Sequence, residues 1–367
     1  MVPLNLKEKL RPYRSCLTVG TVPLFMLFLF ALIRRNRNAV IIYVSRFSLP
    51  LRRAVGSVTT LVPFSAAELC YALAFVGCIF YICRTGYLIF KHRLEKEDII
   101  RRVLWFIIAL LFVWSLYCLI FGLDYYGESF SEKAGIGEIT VTREELISVT
   151  RHFAEKCIKL SISVPRGGGV FSVQPSAIID EYYHIYSGIR NEFPFLDMPI
   201  FRPKEMIFSG IMSAMGFTGV YFPFTGETNI NIDAPQVFMP CTVAHEIAHQ
   251  MGITSESECN FIGVLASTTC EIDFYEYSGY MTGLLHLMNA LYSVDTDAWR
   301  EIRAEFTDGM NADWQQNAEY WDEHEMFITD VSSKLYDMYL KGYGEELGIV
   351  SYSACVKLLV HYYKDAV

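Results

Sequence analysis

His245 and His249 stand four residues apart and enclose Glu246. On a helix of 3.6 residues per turn, such a pair projects from consecutive turns of one face. Two imidazoles so placed converge on one point and suit a zinc ion, while the neighbouring acid reaches a water at the metal. The chemistry that follows is hydrolysis of a peptide bond. Zinc lowers the pKa of its water toward neutrality, and Glu246 takes the proton as general base and passes it to the leaving amine. The rest of 241–251 fits a helix. Pro240 suits a first turn, and Val243, Ala244, Ile247, Ala248 and Met251 gather away from the histidines. An HExxH pattern arises by chance in roughly one chain of this length in a hundred. An ordinary helix with two surface histidines is therefore the competing reading.

Catalytic zinc takes three protein ligands and leaves a position for water. Gly252 can end the histidine helix with a turn. Ser255 can cap the next helix, with Glu258 as its capping-box partner. Glu258 thus has a structural explanation, and Glu256, at the first position of the second helix, is expected to be the third ligand. Glu258 remains the alternative. Asn260, one turn beyond Glu256, is a candidate to orient a ligand from behind. Among possible oxyanion donors, Tyr275, Tyr277 and Tyr280 follow the ligand helix, with Tyr280 preferred. With 23 tyrosines in the chain, any single choice competes with plain core packing.

Other elements must position these residues. GVYFPFTGETNINID (219–233) alternates on both sides of Thr225, Gly226 and Glu227 and predicts a β-hairpin. Asn229, Asn231 and Asp233 alternate with Ile230 and Ile232, which predicts one polar and one buried face. An exposed strand edge there can align an extended peptide through main-chain hydrogen bonds. A purely structural hairpin is the other reading. TREELISVTRHFAEKCIKL (142–160) opens with a capping box, Thr142 and Glu145, and reads as a helix. So do 176–193 and 203–215, and helical pattern resumes at 240. His152, His184, His286, His324 and His361 lack ligand spacing and read as surface or core histidines.

Upstream the composition changes. Apolar residues make up 52% of the 367 residues and charged residues 19%, and the excess of apolar residues sits in 1–123. Crossing a bilayer takes about 20 apolar residues, and three stretches qualify: 18–33, 61–83 and 103–123. The first follows Lys7, Lys9, Arg11 and Arg14, as a signal peptide would, but RRNR comes after it, so a retained anchor is expected. Glu68 lies inside the second stretch. It reads as an acid near the interface or protonated against another helix, with a polar contact to another span as the sharper reading. The N-terminal arm and the 84–102 loop carry ten Lys and Arg together, against six in 34–60. The positive-inside rule then places the N-terminus inside and the C-terminal domain outside the cell. Part of 34–60, AVIIYVSRFSLPLRR, reads as an amphipathic segment along the interface. The formal charge of -9 belongs mostly to the C-terminal two thirds and argues against a nucleic-acid binder, which needs a basic face. The ten cysteines show no CxxC spacing, hence no disulfide framework and no cysteine zinc site.

PFTGETNIN, HEIAHQMG and SESECNF, followed by YSGY (277–280), YLKGYG (339–344) and SYSACVKLL (351–359), resemble a family of bacterial three-span membrane proteins catalogued as domain of unknown function 3810. The resemblance covers most of the chain. It implies a zincin-like metallopeptidase grouping and brings no substrate class with it. The run Glu256 to Asn260 is similar to the E-x-x-A-D second helix of gluzincin membrane proteases, with Cys259 and Asn260 in place of Ala and Asp. The HExxHxxG start is similar to metzincins, but their third histidine falls at Ser255, which substitutes poorly.

The expected fold is mainly α, with three transmembrane helices in 1–123 and a mostly helical, zincin-like α+β domain with a small hairpin or sheet in 124–367. The expected function is that of a multi-pass cell-membrane zinc peptidase, with Zn2+ as cofactor, the lipid bilayer and a peptide or protein as partners, and an extracytoplasmic catalytic domain. The alternative is a zinc-binding sensor or scaffold without catalysis.

Overall fold

The computed structural model describes residues 10–325, 327–343 and 352–366. Lys7, Lys9, Gly344 and Ser351 lie outside the described residues. The fold is mostly helical, with three apolar N-terminal helices and two small sheets of two and three strands. The chain divides into two compact units, one of 1–52 and 67–127, the other of 53–66 and 128–367.

The first unit contains α1 (Arg14–Ile33), α2 (Arg37–Tyr43), the start of α3 (Leu49–Thr59), most of α4 (Ala66–Phe90), and α5 (Lys96–Tyr117). Among the described residues, three helical stretches are long and apolar enough to cross a membrane: Arg11–Ile33, Ala66–Phe90 and Lys96–Gly122. The second begins at Ala66 rather than at 61, because 60–65 leaves the helical path in a turn. Glu68 sits buried in the first turn of α4. Arg52 and Asp124 form a buried ion pair, and Ser48 donates to the carbonyl of Ile120 at 2.5 Å.

In the second unit, residues 53–66, expected to belong to the membrane region, pack instead with the large C-terminal body. Hydrogen bonds hold them there. Thr59 Oγ1 donates to the carbonyl of Thr225 at 2.9 Å, and Ser65 Oγ donates to Asn229 Oδ1 at 2.6 Å. Lys204 Nζ donates to the carbonyl of Val62. The body continues with α6 (Phe130–Lys133), α7 (Arg143–Leu160), β1 (Arg166–Gly167), β2 (Val170–Phe171), α8 (Pro175–Asp180), β3 (Lys204–Glu205), α9 (Ser209–Met215), β4 (Gly219–Phe222) and β5 (Glu227–Ile230). Then come α10 (Met239–Gln250), α11 (Glu256–Thr268), α12 (Asp273–Val294), α13 (Thr296–Ala304), α14 (Asp308–His324), α15 (Phe327–Gly342) and α16 (Tyr352–Tyr363).

The capping box of Thr142 and Glu145 opens α7. Two expected helices are shorter than their patterns. The 176–193 helix stops at Asp180 and continues as turns. Gly188 there lies hard against Thr269, where an added Cβ would stand 2.1 Å from the Thr269 carbonyl oxygen. In 203–215, Lys204 and Glu205 form β3, parallel to Asn229 and Ile230, and the helix begins only at Ser209. The hairpin of 219–233 forms, with β4 antiparallel to β5, and the sheet order is β3-β5-β4. Its polar face is not exposed. Asn229 and Asn231 are as fully buried as Ile230. Both faces of β5 are buried, and Asn231 donates its amide to Ser213 Oγ and the Phe217 carbonyl, both at 2.9 Å.

The core gathers around α10, α11 and α12, with α7 and α16 packed on them. Where α11 crosses α10, Gly263 permits close approach: a Cβ there would meet the His245 amide nitrogen at 3.1 Å.

Candidate metal centre

The histidine helix α10 is fixed along its length. Its Cys241 amide donates to Ser278 Oγ at 3.1 Å, and Tyr186 donates to the Ala244 carbonyl at 2.7 Å. At its far end the Gln250 side chain pairs with both backbone groups of Phe201, at 2.8 and 3.1 Å. The helix closes in a Schellman turn. Gly252 takes the left-handed conformation (φ 89°), its N–H donates to His249 at 3.0 Å, and the Ile253 N–H donates to Ala248 at 3.1 Å.

That turn returns the Ile253 carbonyl to the histidine. It lies 2.9 Å from His249 Nδ1, and since a carbonyl only accepts, Nδ1 carries the proton. The neutral ring then presents a bare lone pair at Nε2, which faces Glu256 Oε1 at 3.4 Å. His245 Nε2 lies 3.2 Å from Glu256 Oε2. The ligand atoms of His245, His249 and Glu256 all lie within 4.8 Å of one another. Donors held by one tetrahedral ion at bonds of ~2.0–2.1 Å stand ~3.3 Å apart. The two nitrogen–oxygen distances match that spacing, and two imidazoles with one carboxylate are donor types such an ion takes. Without a cation, metal or proton, the lone pair and the carboxylate repel.

The electrostatics agree. Burial opposes ionisation of Glu256, but His249 and His245 outweigh it and hold the carboxyl well below its usual range. Burial also opposes charge on His249, yet Cys259 and Glu256 hold that imidazole well above its ordinary value. Cys259 Sγ lies 3.4 Å from His249 Nδ1.

Glu258 goes elsewhere. Its carboxylate accepts from the Phe130 and Ser131 amides and the Ser131 hydroxyl, at 2.8, 2.9 and 2.7 Å, and so caps the start of α6. The expected capping box with Ser255 does not form; Ser255 Oγ faces Ser257 Oγ at 3.0 Å. Asn260 is half-buried, and its side chain makes no hydrogen bond among the described residues.

Glu246 is buried beside the pair, pressed against β4. A Cβ on Gly219 would stand 2.7 Å from Glu246 Oε1. Burial pushes the Glu246 carboxyl above its ordinary range, while His245, His249 and a hydrogen bond from the Tyr221 backbone pull it down. Its Oε2 is buried and has no partner among the described residues. The Tyr221 amide is available because β4 is an edge strand. Asn231 N–H donates to the Thr218 carbonyl, so hydrogen-bonded pairs fall at every second residue. Gly219 and Tyr221 therefore turn their N–H and C=O groups outward, on the side of Glu246.

Tyr280 does not approach the cluster. Its ring packs on Phe153 at 5.2 Å and on His152 at 6.4 Å, between α7 and α12, where the apolar faces of those helices meet. Tyr275 is likewise committed, donating to the Ile178 carbonyl at 2.7 Å, and Tyr277 donates to Asp313 at 2.6 Å. The tyrosine at the site is Tyr336 of α15, whose hydroxyl donates to Glu256 Oε1 at 2.5 Å. No local spacing points to it. His286, read from sequence as surface or core, is buried on α12 close enough to His245 for the two to interact electrostatically.

Fold and site thus define a mostly helical protein with three membrane-length helices and a half-buried cluster of two imidazoles and one carboxylate. The chain belongs to the family described as Protein of unknown function (DUF3810), whose profile matches residues 43–360. Comparison with curated proteins and with solved structures gave no match.

Proposed function

We propose that this chain is a membrane-anchored, zinc-dependent peptidase of zincin type. The observation that carries the reading is the cluster of His245, His249 and Glu256 beside a buried carboxylate, Glu246, with one oxygen unpartnered. His245, His249 and Glu256 would hold the zinc ion, which would supply a Lewis acid and a water nucleophile near neutral pH. Glu246 accepts the water's proton at Oε2 and delivers it to the leaving nitrogen; its raised pKa suits both transfers. The outward N–H and C=O groups of Gly219 and the Tyr221 carbonyl align an extended peptide by adding it to the sheet edge. The Tyr336 hydroxyl donates to Glu256 and orients that proposed ligand from behind. The three apolar helices anchor the chain as a multi-pass membrane protein, and the balance of Lys and Arg favours an extracytoplasmic site.

The test is cleavage of a peptide library by full-length protein with zinc, wild type against Glu246→Gln. Cleavage by the wild type alone supports the reading. Zinc retention with no cleavage by either protein points to the non-catalytic module instead.

A further inference from the structure

Helix α15 carries Tyr336 inward, yet Ile328, Val331, Leu335 and Met338 on the same helix are exposed, Met338 at 69%. Their spacing of three, four and three residues makes one stripe along the helix. Ser332, Leu340 and Tyr343 form the buried face. Alongside lies α9, packed on α15 and bonded to it where Thr329 Oγ1 donates to the Ala214 carbonyl at 2.8 Å. It adds Ile211, 58% exposed. A soluble surface rarely leaves a contiguous apolar patch of this kind uncovered.

The chain itself indicates what covers it. Within the same unit, Val58, Leu61 and Phe64 are exposed, and Leu61 and Phe64 lie within five residues of Ala66, where a membrane-length helix begins. At the reach of an extended chain, ~3.5 Å per residue, they cannot be far from the bilayer. Lys204, just ahead of α9, is hydrogen-bonded to Val62 in that approach segment.

We propose that the outer stripe of α15, with Ile211 of α9, is a bilayer-docking surface that lies in the lipid interface. Because α15 also holds Tyr336 at Glu256, docking keeps the site at the membrane surface. The substrate class that fits is a membrane-proximal protein segment. The docking stands without the peptidase reading; only the substrate class rests on it.

The test uses full-length protein in vesicles of phosphatidylethanolamine and phosphatidylglycerol. The photoreactive residue p-benzoylphenylalanine replaces Leu335, Ile211 or, as an exposed control, Arg300 of α13. After irradiation, mass spectrometry is expected to find phospholipid adducts at 335 and 211, in yields several-fold above 300. Equal yields at all three positions, no adduct at 335 and 211, or cross-links there to a second copy of the chain would overturn the proposal. All three substitutions are on the surface, so folding is not at stake. A peptidase that fails to cleave leaves the lipid result unchanged, which separates the two claims.

Discussion

Gly219 on β4 and Glu246 on α10 are so close that a single methyl group at residue 219 would stand 2.7 Å from Glu246 Oε1. The glycine is therefore part of the seat of the proposed general base. In Gly219→Ala the carboxylate must shift while the histidines stay in place. We expect a fall in kcat of about 100-fold with zinc content unchanged, since a positioned base contributes about that much or more. Steady-state kinetics beside metal analysis checks it.

Glu256 and Glu258 are two residues apart and do different work. Glu256→Ala removes a proposed ligand and is expected to strip most of the metal. Glu258→Ala takes three hydrogen bonds from the start of α6 and leaves the cluster intact. We expect it to keep its metal and lose about 3 kcal/mol of stability, the scale for a buried charged acceptor. Metal content and the thermal unfolding midpoint of both variants separate the two roles, and the reverse order would overturn the assignment.

Tyr336→Phe deletes one hydroxyl at the site and leaves the ring packed on Phe217 at 5.7 Å. We expect metal to be retained and kcat to fall about 10- to 100-fold, with KM little changed, as for a group that orients a metal ligand. Tyr280→Phe, far from the cluster in its contacts, is the control, and equal effects in the two would contradict the placement.

His286 sets a pH dependence of stability. Burial, with His245 nearby, pushes its pKa from 6.5 down to about 4. Between those values the unfolded chain binds the proton that the folded chain refuses. Stability is thus fully present above about pH 6.5 and falls as the pH drops toward about 4, by up to about 3 kcal/mol. In His286→Gln that part of the decline is expected to vanish. Unfolding midpoints of both proteins from pH 7 to pH 4.5 measure it.

What was legible in the sequence was local. His245, Glu246 and His249 share a helix face by spacing alone, and Glu256 follows one turn-forming glycine later. The three membrane-length helices and the capping box of Thr142 are local patterns too. What the pattern missed depends on partners distant in sequence. Lys204 and Glu205 are strand because Asn229 and Ile230 pair with them, against a helical-looking context. Asn231 looks like a solvent-facing residue until Ser213 and Phe217 supply its bonds. Tyr336 reaches Glu256 from another helix, and nothing near it in the chain marks it among the other tyrosines. Glu258 caps α6 and not its own helix, because its partners, Phe130 and Ser131, lie far back in the chain.

The most direct measurement is the zinc content of the full-length protein, purified in detergent and compared among wild type, Glu246→Gln and His245→Ala. The account predicts one equivalent in the first two and next to none in the third. A wild type without stoichiometric metal, or a His245→Ala variant that keeps it, would contradict the metal centre.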